Sequence, residues 1–412
     1  MDDLRIIDCD SHLTEPPDLW SSRVPESMRS RIPEQRTVDG ETMWFLGDEP
    51  WSTIGANTID ASGKRIYGAI TVQPFEEVHP ACWRVKDRLR LLDEEGIFAQ
   101  LLYPNGIGFA SNHIFAVEDV QDRELILQVY NDFLVDVQEE SNGRLFPQAM
   151  LPIWDIDLTV KEMTRLLDKG IRGFTLSDKP EALGMPEPID PHFDPIWDVF
   201  NESGAVANFH IAAGRTRAES QSLFQQVGLK TGETGSADPQ RADNPPRPPS
   251  PFWEALPIQR RLVTVLPQRG FSNIRVISNL CVSNIFDRFP KLKISSVESG
   301  LGWVPFVLEC LEHEFDEMVT NREDLSYAAR RPAEYFSEHI TVGFAFERFG
   351  PMHCIDTIGA HNILVESDIP HSGSVFPGFR ERITNVLKDA DPYVQRRVLQ
   401  DNASERYRIS VE

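Results

Sequence analysis

Eight short apolar runs, spaced by helical or polar stretches, limit what this chain can fold into. They lie near Ile6, Leu101, Gln148, Phe174, Ala207, Ile294, Val342 and Leu364. Most are rich in β-branched or aromatic residues, and turn residues such as Pro, Gly or Asp punctuate them, the signature of a strand. Between several of them, at 82–95, 118–140, 158–167, 195–202, 303–318 and 352–358, apolar residues recur at helical spacing. Asp194 is placed to cap the helix of 195–202. A further helix at 392–399 closes the series. Strand and helix in regular alternation point to parallel βα units. Eight such units fit a (β/α)8 TIM barrel, whose functional residues gather at the C-terminal ends of the strands. An open doubly wound sheet is the alternative. No G-x-G-x-x-G follows any strand, so nothing supports a dinucleotide site.

Two stretches interrupt the alternation. Asp39-Gly40 stands between strand-like flanks and predicts a β-hairpin inside an N-terminal insertion of about 35–75. After the fifth strand, 214–251 is polar and runs into Asn244-Pro245-Pro246-Arg247-Pro248-Pro249. So long a loop, leaving the catalytic end of a barrel strand, is expected to cover the mouth and shape substrate access. With these insertions, 1–412 reads as one domain.

Composition narrows the function. Lys+Arg 41 against Asp+Glu 64 gives a net charge of −23. Such a surface repels phosphate backbones and anionic membranes, so neither is an expected partner, while an anionic small-molecule substrate can still be held by the local field of a metal. No apolar run is long enough to span a bilayer, and the start Met1-Asp2-Asp3-Leu4-Arg5 carries no signal-peptide pattern. Cys9, Cys82, Cys281, Cys310 and Cys354 are scattered and without C-x-x-C spacing. Reduced thiols in a cytoplasmic protein are expected.

The first strand ends in Asp8-Cys9-Asp10-Ser11-His12. Alternate residues of a strand share a side, so Asp10 and His12 should leave its end together. Taken singly, Asp10 reads as a surface acid, and His12 or His210 as a core histidine. In a barrel, however, the strand ends supply Asp10 and His12, then His210, Glu298, Glu366, Asp368 and His371. Oxygen and nitrogen donors meeting at one mouth suit a divalent ion of the zinc or manganese kind. Glu298 also reads as a structural carboxylate or as a proton carrier.

The stretches Ile7-Asp8-Cys9-Asp10-Ser11-His12 with Glu15-Pro16, Phe209-His210, Glu298-Ser299-Gly300-Leu301-Gly302-Trp303 and Glu366-Ser367-Asp368-Ile369-Pro370-His371 together resemble the amidohydrolase-related family. Aminocarboxymuconate semialdehyde decarboxylase and γ-resorcylate decarboxylase are among its members. The resemblance implies a barrel with one Zn or Mn, often a homo-oligomer. It makes Asp10, His12, His210 and Asp368 the metal ligands. Apart from the resemblance, a carboxyl in a partly dry pocket can serve as general acid or base, and Glu298 is the first candidate, Asp368 the second. His371 is placed to contact substrate or support a ligand, and Glu15 to do the same or to fix the turn after the strand. The chain departs from the family in having Asp-x-His on the first strand. It also departs where the decarboxylases place a catalytic His, since Glu298 stands there. A decarboxylase of a small carboxylated aromatic or unsaturated acid is the first expectation. A metal-dependent hydrolase of an amide, ester or lactone is the second, and an inactive metal-binding interaction protein the third.

Overall fold

The computed structural model describes every residue except 2, 216–251, 253–254, 322, 325–326 and 412. Nearly all of the expected 214–251 loop therefore lies outside the described residues. Two very short strands open the chain, β1 (Ile7–Asp8) and β2 (His12–Leu13). The antiparallel strands β3 (Pro33–Val38), β4 (Glu41–Leu46) and β5 (Glu49–Thr53) follow. The parallel strands are β6 (Ala99–Pro104), β7 (Leu145–Pro147), β8 (Ala149–Met150), β9 (Gly173–Thr175), β10 (Val206–His210), β11 (Lys293–Val297), β12 (Ile340–Phe344) and β13 (Ile363–Val365).

Parallel pairing runs from β1 to β6, from β6 to β7, then from β8 through β9, β10, β11 and β12 to β13, which pairs with β1 again. β7 and β8 are halves of one run, broken at Gln148. The break is local, because Gln148 N still donates to Leu102 O at 2.8 Å. The result is a curled parallel sheet in the pattern of an α/β barrel. Its two faces bury different sets of side chains, as strand alternation requires. Ile7, Cys9, Leu101, Val206, Val297 and Leu364 pack inside with Ala403, Tyr407 and Ile409. Ile6, Leu102, Phe174, Phe209, Ile294, Val342 and Ile363 belong to the larger core that includes the helices. Each Val, Leu, Ile or Phe among them contributes about 1.5–3 kcal/mol by leaving water. Asn402 ties the C-terminal helix Asn402–Tyr407 to the barrel by donating to Ala360 O and Ile363 O at 2.7 and 2.8 Å.

Local chemistry explains the element ends. Asp119 and Asp155 accept from the first amides of helices Val120–Glu140 and Ile156–Asp168. Asp194 is not the cap expected of it: it is the first residue of helix Asp194–Ser203, and its carboxylate takes Arg288 instead. In the hairpin, Asp39 and Gly40 have φ of 53° and 83°, the pair of positive values a two-residue turn of the twisted type needs. A third strand, β5, completes that sheet. The following stretch returns to the barrel mouth, where Thr58 Oγ1 donates to Pro370 O at 2.8 Å. Among the described residues, no helix is long and apolar enough to cross a membrane.

Candidate metal centre

β1 is ended by its own Asp8. One carboxylate oxygen accepts from Asp10 N at 3.3 Å and Ser367 N at 2.8 Å; the other accepts from Ser367 Oγ at 2.5 Å and Gln100 Nε2 at 2.6 Å. The strand is thus interrupted before Asp10, and the chain rejoins the sheet as β2. Simple alternation across 8–12 does not describe it: Asp10 shares Asp8's parity, yet its carboxylate lies beside His210. The interrupted end zips onto the end of β13, with Asp368 N donating to Asp10 O at 2.9 Å and His12 N to Ile369 O at 2.7 Å. That contact brings Asp368 to the first strand.

The two histidines are oriented by backbone carbonyls. His12 Nδ1 lies 2.8 Å from Pro104 O, and His210 Nδ1 lies 2.8 Å from Ile211 O. A carbonyl only accepts, so each Nδ1 carries a hydrogen and, in the neutral ring, each Nε2 presents a lone pair. His12 Nε2 stands 3.7 Å from Asp10 Oδ1 and 3.5 Å from Asp368 Oδ1. His210 Nε2 stands 3.4 Å from Asp10 Oδ1 and 3.6 Å from Glu298 Oε2. Neither Nε2 nor either Asp10 oxygen has a hydrogen-bond partner, and all three residues are fully buried.

Acceptors facing acceptors in a dry interior are costly unless something positive lies between them. Donors bound at about 2.1 Å around a tetrahedral ion stand about 3.4 Å apart, so the spacing fits a divalent metal. The ligand atoms of Asp10, His12 and His210 fall within 4.8 Å of one another. Asp368 joins through two other groups, one with His12 and His371 and one with Asp10 and Glu298; no such group of described residues holds all four expected ligands. The field has the sign a cation needs. Burial, with the His371 and His210 rings, lowers His12 well below the usual histidine range. Burial pulls His210 down as well, but Asp10 and Glu298 outweigh it and raise it to about 9. The carboxylates that favour a proton at His210 also attract a divalent ion, which takes Nε2 in that proton's place.

His371 forms the other side. Its ring stacks on His12 at 3.8 Å, with Nδ1 2.7 Å from Asp368 Oδ1 and Nε2 3.1 Å from Asn105 Oδ1. Asn105 is oriented by its neighbours: Oδ1 accepts from Ala56 N, while Nδ2 donates to Thr14 Oγ1 and Ala56 O. His371 Nε2 must therefore be the donor to Asn105. Neutral His371 would then turn its Nδ1 lone pair toward a carboxylate oxygen at 2.7 Å. The contact calls for a positive charge beside the pair, a proton or the expected metal.

Glu298 follows directly on β11, with a quarter of its side chain exposed and its carboxylate toward His210. Glu15 lies outside the cluster. Buried and pushed up to about 7 by that burial, it accepts from Asn105 N at 3.1 Å and Gly106 N at 2.8 Å. It thus holds the loop that carries Asn105.

Three features escaped the sequence reading. The Phe109 ring packs 4.3 Å from His210 and 4.8 Å from His12. Its place just beyond the end of β6 was the available signal. Asn105 lies on the same loop. Arg88, fully buried, donates to His12 O and Ala81 O at 2.6 Å and to Gln100 Oε1 at 3.0 Å. Through Gln100 it reaches Asp8, so a cation and a carboxylate brace the ends of β1 and β2.

The family model for amidohydrolases matches residues 7–409. The chain belongs to the amidohydrolase family. No curated protein matches the sequence of this amidohydrolase. Solved structures match its fold along nearly its whole length. An amidohydrolase, map2389c, from Mycobacterium avium subsp. paratuberculosis K-10 has a TM-score of 0.68 at 18% identity, covering 99% of each chain. The 5-carboxyvanillate decarboxylase LigW from Sphingomonas paucimobilis has 0.61 at 17%, covering 99% of this chain and all (100%) of its own. A dihydroxybenzoic acid decarboxylase from Polaromonas sp. JS666, with bound manganese and the inhibitor 2-nitroresorcinol, has 0.58 at 16%, covering 98% and 97%. At these identities the likeness is one of fold.

Proposed function

We propose that this amidohydrolase is a metal-dependent lyase that releases carbon dioxide from a small carboxylated aromatic or unsaturated acid. In this reading one divalent ion, zinc or manganese, is held by Asp10, His12, His210 and Asp368, and 1–412 acts as one domain. The observation that carries the proposal is the buried convergence of His12 Nε2, His210 Nε2 and the Asp10 carboxylate, none with a hydrogen-bond partner. Decarboxylases of carboxylated phenols among the proteins that share the fold, one with manganese, support the reaction class and the metal.

A divalent ion here supplies charge that orients the substrate's oxygens and steadies negative charge as it builds. The chain's own residues do the rest. As the carbon–carboxylate bond breaks, its electron pair stays on carbon, and a proton must reach that carbon while carbon dioxide leaves. Glu298, on the partly exposed side of the cluster, delivers the proton from its carboxyl. Asp368 and His371, 2.7 Å apart between Oδ1 and Nδ1, are placed to pass a proton back to it from solvent. The Phe109 ring walls the histidines and limits water around the developing charge.

Glu298 itself favours a second reading, hydrolysis of an amide, ester or lactone. A carboxylate placed where the resembling decarboxylases carry a histidine can draw a proton from an attacking water. A cytoplasmic location and a homo-oligomer complete the proposal; the first rests on the scattered free thiols, the second on the family resemblance.

Elemental analysis of the purified protein, then assay of 2,6-dihydroxybenzoate, 5-carboxyvanillate and a set of lactones, tests it. Carbon dioxide from an aromatic acid supports the lyase, and acid released from a lactone supports the hydrolase. Bound metal with neither activity on a wide panel favours the inactive binding protein.

A further inference from the structure

The proposed reaction makes no use of Glu366, although its carboxylate is buried against the turn that carries Glu298. Val297 packs into the inner cluster, so a strand continuing past it would send the next side chain to the outer face. Glu298 escapes that fate by adopting φ of 56°, a left-handed conformation that residues other than glycine seldom take. Its carboxylate turns back into the mouth, 3.6 Å from His210 Nε2.

Such a conformation persists only where its surroundings hold it. The holding group is on the page. Glu298 N donates to both oxygens of Glu366, at 3.2 Å each. Glu366 is fixed in turn by its own N–H, which donates to Phe344 O at 2.9 Å. Room for its carboxylate comes from β12, because a methyl built on Gly343 would land inside the Glu366 carboxyl group. One strand has given up a side chain so that a buried acid from its neighbour can reach a third strand's turn. Burial, together with nearby Asp10, pushes the Glu366 carboxyl well above the usual range.

We infer that Glu366, seated in the space left by Gly343, is a positioning residue that holds the Glu298 backbone left-handed and so aims the Glu298 carboxylate at the metal centre. Its use in catalysis rests on the reading of Glu298 as proton carrier, but the geometry can be tested apart from turnover. Crystal structures of the metal-loaded Glu366→Gln, Glu366→Met and Gly343→Ala variants provide the test. Gln keeps an oxygen for the Glu298 amide, Met keeps the volume without that acceptor, and Ala fills the seat. Glu366→Gln should leave Glu298 in place. Glu366→Met and Gly343→Ala should move its carboxylate out of ion-pair reach of His210, beyond about 4 Å.

Kinetics on whichever acid the panel identifies give a second readout, should the Ala variant fail to fold. Glu366→Met should lower kcat about tenfold with KM unchanged, and should add nothing in a Glu298→Gln background. An unmoved Glu298 in the Met variant, or a further loss in the Glu298→Gln background, overturns the inference. Full activity of Glu298→Gln alone would instead refute the proton-carrier reading and leave the positional result standing.

Discussion

The two ends of the barrel interior treat buried polar groups in opposite ways. At the floor, the amide of Asn208 donates to Gln148 Oε1 at 2.8 Å, and its oxygen accepts from Tyr407 OH at 2.7 Å. Arg406, half-buried, donates to His339 O at 3.2 Å. Around these bonds sit Ile7, Leu101, Val206, Leu364 and Ala403, so the floor is a sealed core. At the mouth, Asp10, His12 and His210 are just as buried, yet their lone pairs face one another with no hydrogen-bond partner. A satisfied network stabilises the fold, whereas an unsatisfied one lowers stability unless a ligand completes it. The difference marks the mouth as built for something the chain does not itself contain.

Changes at the mouth should therefore affect binding and turnover, and changes at the floor stability alone. The largest effect is expected from His210→Ala, which removes a lone pair and its orientation together. Manganese affinity, followed by calorimetric titration, should fall by at least about a hundredfold and turnover with it. Glu298→Gln should come next, lowering kcat by about a hundredfold while metal content stays near one per chain. Loss of metal in that variant would make Glu298 a ligand. Leu364→Ala, at the floor, should cost about 2–5 kcal/mol in denaturant unfolding and leave metal stoichiometry unchanged. Tyr407→Phe should cost about 1 kcal/mol in the same assay, since it removes one buried bond to Asn208. Metal loss from either floor variant at full folding would break the comparison.

Much of this contrast could be read before any coordinates. The spans Ala99–Pro104, Ile340–Phe344 and Val304–Met318 follow from runs whose pattern and punctuation agree. The Asp39-Gly40 turn was equally plain, because few pairs tolerate two positive φ values. The residues at the mouth were legible because a barrel gathers its strand ends, so a lone Asp or His there gains meaning from the others. What failed depended on contacts between distant segments. At the break, Gln148 accepts from Asn208 through its side-chain amide, a contact that no local propensity shows. The interruption of the first strand comes from Asp8 accepting the amide of Ser367, far away in sequence. Arg88 sits among charges in Val85-Lys86-Asp87-Arg88 and looks like a solvent-facing helix residue. Only the carbonyls of Ala81 and His12 show why it is buried.

The central claim is that one divalent ion satisfies the facing lone pairs of Asp10, His12 and His210. Metal stoichiometry of the purified protein, before and after chelation and after return of manganese, tests it most directly. The account predicts about one equivalent of zinc or manganese per chain, removed by chelator, restored by manganese and abolished in His210→Ala. A folded protein that holds no metal and takes up no manganese, with wild type and His210→Ala alike, would contradict it.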